Sequence, residues 1–362
     1  MAKVFFYLLI IVAVVSGIIL LFRKPQTVKK TSSNIIQKKV NPTPTLPAEN
    51  ILKSKSVFLP NWAEVAEGEQ FAGYNRILYF GVALGKNGVN KDDAGYTSLS
   101  KLTSSIADTK RIWITAKMLD TDTNAAILND PAGWDTISTD LIDVVKGNGA
   151  KGIVLDLEMS ALPTDALAKR ITEYVAHLHT KLAEREIPLA LAIYGDTFFR
   201  KRPFDIKALG ENSDEIMIMA YDFHKSYGEP GPNFPLAGRD SYGYDFETMV
   251  TDYASQVKPE KLTVIFGMYG YDWIVDEKKR PVKPAKALPL DTIRTEFIQS
   301  CTKKNCVTRR DDQSAETEIN YIDDYVNYHI VWFEDDTSVE KKVAFMKQKG
   351  IVNIAYWAYG YY

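Results

Sequence analysis

Lys151-Gly152-Ile153-Val154-Leu155-Asp156-Leu157-Glu158 is an apolar run with two acids at its C-terminal end. Its Ile, Val and Leu residues, opened by Gly152, predict a buried β-strand. Side chains alternate faces along a strand, so Asp156 and Glu158 point the same way, with Cα atoms roughly 6–7 Å apart. Two like charges that close in an apolar setting resist ionising together. One should keep a proton near neutral pH, as a general acid must. The plainer alternative is an edge strand with a solvated polar face. Ile153, Val154, Leu155 and Leu157 leave little of the strand polar, which argues for burial on both faces.

Seven similar runs flank this one: Val57–Trp62, Arg76–Leu84, Arg111–Met118, Pro188–Tyr194, Glu215–Phe223, Leu262–Tyr269 and Asn353–Tyr359. Amphipathic segments lie between several of them, for example Asp135 to Gly147 and Pro163 to Ile187. Strand–helix alternation repeated eight times predicts an α/β fold, a (β/α)8 or TIM barrel. About 80 residues separate the seventh and eighth strands, too many for a simple loop. They include strand-like pieces at Cys306–Arg309, Ile319–Tyr321 and His329–Phe333. A small inserted α+β subdomain, about residues 274–335, is therefore expected over the barrel mouth. The sequence stops at Tyr362, just after the last strand, with no closing helix in view.

The first 55 or so residues differ from the rest. Val4 to Phe22 is 19 residues without a charge, long enough to cross a bilayer core. A cleaved signal peptide would make the domain a secreted one. The long apolar core, with no small-x-small site before Arg23-Lys24, favours an uncleaved signal anchor over residues 1–24. Residues 25–55, rich in Pro, Thr, Ser and Lys, suit a flexible tether, leaving 56–362 for the barrel domain. Six cations follow the segment by Lys39 and only Lys3 precedes it, which taken literally would leave the domain in the cytosol. Net charge is −2 over 362 residues, with no basic stripe, which argues against nucleic acid as the partner. Cys301 and Cys306 are the two cysteines, and their spacing is compatible with a disulfide or with two free thiols. A zinc site has no second Cys or His pair to complete it.

Active residues of such barrels sit at the C-terminal strand ends. Those ends offer Asp156 and Glu158, then Tyr221, Asp222 and His224, then Tyr269 with Gly270-Tyr-Asp-Trp273, then Tyr356, Trp357 and Tyr359. Acids ringed by aromatics suit a sugar site, because aromatic faces stack on pyranose rings while carboxylates hold hydroxyls and protonate a leaving oxygen.

The run at 151–158 resembles the Asp-Gly-x-Asp-x-Asp-x-Glu signature of glycoside hydrolase family 18, the chitinase-like family. Met219-Ala-Tyr-Asp-Phe-His224 resembles the family's sixth-strand Met-x-Tyr-Asp motif, and Gly350-Ile-Val-Asn-Ile-Ala-Tyr-Trp357 its eighth strand. Gly267-Met-Tyr-Gly-Tyr-Asp-Trp273 and Val331-Trp-Phe-Glu-Asp335 resemble the branch of spore-cortex peptidoglycan hydrolases. The resemblance covers residues 57–362.

It implies a substrate-assisted, retaining cleavage of β-1,4-linked N-acetylglucosamine glycans, peptidoglycan or chitin-like, without a cofactor or metal. Glu158 would be the proton donor, Asp156 the partner of the substrate's acetamido N–H, and Tyr221 the donor to its oxygen, with Asp222 close by. Trp357 would form the floor and Tyr269 a subsite contact. Lys151 and Val154 replace the family's first and second acids, and Val154 cannot hydrogen-bond Asp156 as the second acid does. Binding-only relatives usually lose the terminal Glu, which this chain keeps. The expectation is thus a glycosidase, with a silent glycan-binding protein as the alternative. An envelope glycan lies outside the membrane, so an extracytoplasmic domain on a single-pass anchor is expected against the charge rule. His177-Leu-His179 falls within a helical stretch, where i and i+2 face apart, so it is expected to be surface rather than a metal pair.

Overall fold

The computed structural model describes residues 52–66, 71–106 and 111–362. The expected membrane anchor and nearly all of the tether lie outside the described residues. Among the described residues no helix is long and apolar enough to cross a membrane.

Eight strands pair in parallel: β1 (Ser54–Pro60), β2 (Arg76–Gly85), β4 (Ile112–Met118), β5 (Ile153–Leu157), β6 (Leu189–Tyr194), β7 (Glu215–Ala220), β8 (Leu262–Gly267) and β14 (Asn353–Trp357). A two-residue strand, β3 (Gly88–Val89), turns back antiparallel on β2. The order is β1-β14-β8-β7-β6-β5-β4-β2, and β1 also pairs with β2, so the sheet closes into the expected barrel. Closure buries these strands on both faces, which is why they read as unbroken apolar runs. β5 sits between β4 and β6, so the edge-strand alternative does not hold. Side-chain caps set the helix starts: Asp93 on Gly95 N–H, Asp120 on Thr123 N–H and Thr164 on Leu167 N–H.

Inward side chains fill the barrel in layers. At the base, Arg76 clasps Glu215 at 2.5 and 2.8 Å, bonds Ser56 Oγ at 3.0 Å and stacks its guanidinium 4.8 Å over Trp113. Gly152 is required beside this stack, since a Cβ there would lie 2.5 Å from the Trp113 ring. Above it comes an apolar layer with Phe58, Leu78, Val154, Ala190, Met217, Ile265 and Ala355. The top layer carries Phe80, Asp156, Tyr194, Tyr221 and Trp357.

Between β8 and β14 runs an antiparallel sheet in the order β10-β9-β13-β12-β11. Its strands are β9 (Tyr269–Val275), β10 (Lys286–Pro289), β11 (Lys304–Arg310), β12 (Thr317–Ile322) and β13 (Tyr328–Phe333). β9 starts two residues after β8, so Tyr269 opens this sheet rather than ending the seventh barrel strand. Cys301 and Cys306, left open by the sequence, are disulfide-bonded at the start of β11. Past β14 the chain folds back, with Tyr359 N–H on Phe58 O at 2.9 Å. Tyr356 and Tyr74 pack against each other and Tyr362 joins them, its hydroxyl 2.6 Å from that of Tyr74. Tyr359 packs on Phe71, outside the barrel mouth.

Candidate active site

Strand alternation brings Asp156 and Glu158 to the same cavity, a space of about 340 Å³ at the C-terminal end of the barrel. Tyr221, Asp222, Tyr269, Tyr271, Phe80 and Trp357 line the same cavity. All six residues expected at the site therefore meet there. Of the remaining strand-end candidates Tyr271 joins them, whereas Trp273 and His224 do not. Trp273 is fully buried, with its indole N–H on Gly228 O at 3.0 Å. His224 turns its Nδ1 to Pro232 O at 2.7 Å, and burial holds its pKa below the usual value.

Asp156 is 4% exposed, and burial with the Glu158 charge pushes it well above the usual carboxylate range. The upward push falls on Asp156, the buried member of the pair, as expected where two close acids resist ionising together. Glu158 is half-buried, and its Oε2 accepts from the Tyr194 hydroxyl at 2.7 Å. Its main chain is fixed as well. Glu158 N–H donates to Met118 O at 2.9 Å, and Asn124 Nδ2 bridges the Met118 and Glu158 carbonyls at 2.7 and 2.8 Å. The ends of β4 and β5 are thereby tied together beneath the carboxylates.

Tyr221 stands at the end of β7, and burial with the surrounding acids Asp156, Glu158 and Asp222 holds it as a neutral phenol. Gly267 on β8 makes room for it: a Cβ there would lie 2.7 Å from Tyr221 Cβ and 2.6 Å from the Tyr269 ring. Asp222 adopts a left-handed backbone, φ 57°, uncommon for a side chain with a Cβ. Asn233 Oδ1 holds its N–H at 2.8 Å, while its carboxylate accepts from Tyr271 at 2.8 Å and from Tyr269. Asp222 therefore clamps the inserted sheet to the barrel rim.

That clamp has a buried foundation. Glu316 accepts from the Asn233 and Phe234 N–H groups at 2.5 and 2.8 Å and from Lys342 at 2.8 Å. Lys342 also pairs with Glu334, and all three charged side chains are fully buried. Trp357 ends β14 with Phe80 edge-on at 4.7 Å and the exposed Trp62 at 6.4 Å. A cis peptide follows Trp357.

Sequence reasoning missed Tyr194, Phe80 and the Glu316–Lys342–Glu334 cluster, and it named Tyr271 at a strand end without giving it a role. Tyr194 closed a run already read as the fifth strand, so the strand-end rule had the signal for it. His177 and His179 lie on the helix Asp165–Ala183, facing different acids, Asp135 at 3.2 Å and Asp214 at 3.4 Å, as a surface helix would have them. Among the described residues no group of three or more His, Cys, Asp or Glu side chains could hold a metal ion.

The chain is similar to several known proteins. The cortical fragment-lytic enzyme of Bacillus anthracis is 29% identical over 250 residues, 66% of this chain and 53% of that protein. The chain thus spans about half the length of the curated relatives it matches. The crystal structure of the Bacillus cereus spore cortex-lytic enzyme SleL superposes with TM-score 0.66 at 20% identity, over 85% of this chain and 71% of that one. A class V chitinase from Nicotiana tobaccum gives TM-score 0.71 at 14% identity, over 84% and 93%. These two likenesses speak for the barrel fold. The family model for glycosyl hydrolases family 18 matches residues 100–361. With most of its length matched, the chain belongs to glycosyl hydrolases family 18.

Proposed function

We propose that the chain is a retaining glycosidase that cleaves β-1,4-linked N-acetylglucosamine-containing glycans with the help of the substrate's own acetamido group. The observation that carries this reading is buried Asp156 paired with half-buried Glu158 in a cavity walled by Tyr221, Tyr269 and Trp357. A sugar resting on Trp357 presents its glycosidic oxygen to Glu158, the more exposed member of the pair. Glu158 gives that oxygen a proton as the bond to the leaving sugar breaks. The acetamido carbonyl oxygen attacks the anomeric carbon and closes an oxazolinium ring. Asp156 accepts from the acetamido N–H and balances the positive charge, while the neutral Tyr221 phenol donates to the acetamido oxygen. Water then gives a proton back to Glu158 and opens the ring with net retention. Tyr269, held by Asp222, forms a subsite wall.

Peptidoglycan or a similar envelope glycan is the substrate we favour over free chitin. The similarity to spore cortex-lytic proteins supports it, as does the uncharged run Val4–Phe22, read as a membrane tether. The domain then works outside the cytosol, where a Cys301–Cys306 disulfide persists. A domain that added protease cannot reach on intact cells would sink that placement.

The deciding experiment measures release from a fluorogenic chitobioside and from purified peptidoglycan, for wild type and Glu158→Gln. Turnover that disappears in the variant is the expected result. Glycan binding without turnover in either protein would favour the silent binding protein instead. Apolar Val154 beside a buried Asp156 oxygen with no hydrogen-bond partner is the observation on that side.

A further inference from the structure

The side chain beneath Asp156 on its own strand is Val154, sealed in the apolar layer with Leu78, Ala192 and Met217. It offers no hydrogen bond, and Asp156 Oδ1 is buried without a hydrogen-bond partner. A carboxylate in that position needs compensation from elsewhere. The neighbouring strand has it. In the parallel register of β4 and β5, Lys117 stands directly beside Asp156. Alternation with Trp113 and Thr115 turns Lys117 into the barrel, where its side chain is 14% exposed. The ammonium lies 5.5 Å from the Phe80 ring centroid and 3.8 Å from Asp93 Oδ1. Asp93 Oδ1 also accepts from the Gly95 N–H at 2.9 Å as the cap of the helix Ala94–Ser105, so the anchor of Lys117 is itself fixed.

We propose that Lys117 is a positioning residue for the reaction: from β4 it supplies the positive charge that lets Asp156, unsupported by Val154, meet the substrate's acetamido group as a carboxylate. This rests on the glycosidase reading above. The ionisable groups around Asp156 are Glu158 on its own strand, Lys117 on β4, Tyr194 on β6 and Tyr221 on β7. Of these, Lys117 is the cation. Burial and Glu158 drive Asp156 upward, and Lys117 is the charge that draws it down. During the reaction Glu158 gives its proton to the glycosidic oxygen. Asp156 is then anionic beside the forming oxazolinium, with Lys117 holding the negative charge in place.

The test compares Lys117→Met and Lys117→Arg with wild type as the full chain. Carbon-13 NMR of labelled aspartate carboxyls follows Asp156, assigned by its loss in Asp156→Asn. Removing the cation should raise the Asp156 titration by about one pH unit in Lys117→Met, and Lys117→Arg should restore it. Turnover at neutral pH should fall about tenfold in Lys117→Met with KM changed less than about threefold, and return in Lys117→Arg. If Lys117→Met does not fold by circular dichroism, Lys117→Gln carries the same measurements. An Asp156 titration that stays at its wild-type position in a folded variant overturns the proposal. Failure of wild type to cleave any N-acetylglucosamine polymer would instead overturn the glycosidase reading, and the carboxyl titration would still decide the role of Lys117.

Discussion

Replacing Glu334 by Gln tests the buried ion cluster on which the site's outer wall stands. Lys342 sits between Glu316 and Glu334 with no solvent access, so two carboxylates share one ammonium. Burial pushes Glu334 from its ordinary 4.5 up to about 8, with the Glu316 charge adding to the rise and Lys342 opposing it. Below pH 4.5 both folded and unfolded chains are protonated here, and the stabilisation is fully present. As pH rises toward about 8 the unfolded chain has released a proton that the folded one keeps, so stability is lost. The slope is at most about 1.4 kcal/mol per pH unit, which gives roughly 3–5 kcal/mol over the window. Gln keeps the size of Glu334 and an acceptor for Lys342, but does not titrate. Urea unfolding of wild type and Glu334→Gln from about pH 5 to about pH 9 isolates this group, because other titrations cancel in the difference. The variant should gain on wild type by a few kcal/mol as pH rises, then level off. A difference that stays flat within about 0.5 kcal/mol across the window would mean that Glu334 does not hold its proton in the folded cluster.

Tyr221→Phe removes one hydrogen-bond donor from the proposed acetamido pocket, so kcat should fall about a hundredfold with KM little changed in steady-state assays. Tyr194→Phe takes away the 2.7 Å bond to Glu158, and kcat should drop roughly tenfold, the worth of one hydrogen bond to a charged group. Trp357→Ala should cost about 3–5 kcal/mol in urea unfolding, since the indole packs with Phe58, Phe80 and Trp62, and should weaken oligosaccharide binding in calorimetry.

The barrel was legible because closure buries its strands on both faces, and a fully buried parallel strand is written as a continuous apolar run. Residues 153–157 are the plainest case. The site was legible where a strand carries its own chemistry: Asp156, Glu158 and Tyr221 follow from strand ends alone. β9 was not, because Tyr269–Val275 mixes aromatics with glycine and aspartate and follows β8 closely enough to read as its end. Pairing with β13 makes it a separate strand. Lys117 acts through a partner on the neighbouring strand, and only the register sets it beside Asp156, whereas Tyr194 ends its strand and was open to the strand-end rule. Glu316 meets Asn233 across 83 residues and Lys342 across 26, and no local pattern marks such charges as buried.

The proposed mechanism places the nucleophile on the substrate. Its most direct test gives the purified chain a β-1,4-linked N-acetylglucosamine oligosaccharide and its N-deacetylated counterpart, and measures reducing ends released by each. Cleavage of the acetylated sugar and none of the amine is the result predicted. Equal cleavage of both would place the nucleophile on the protein or on water and contradict the account.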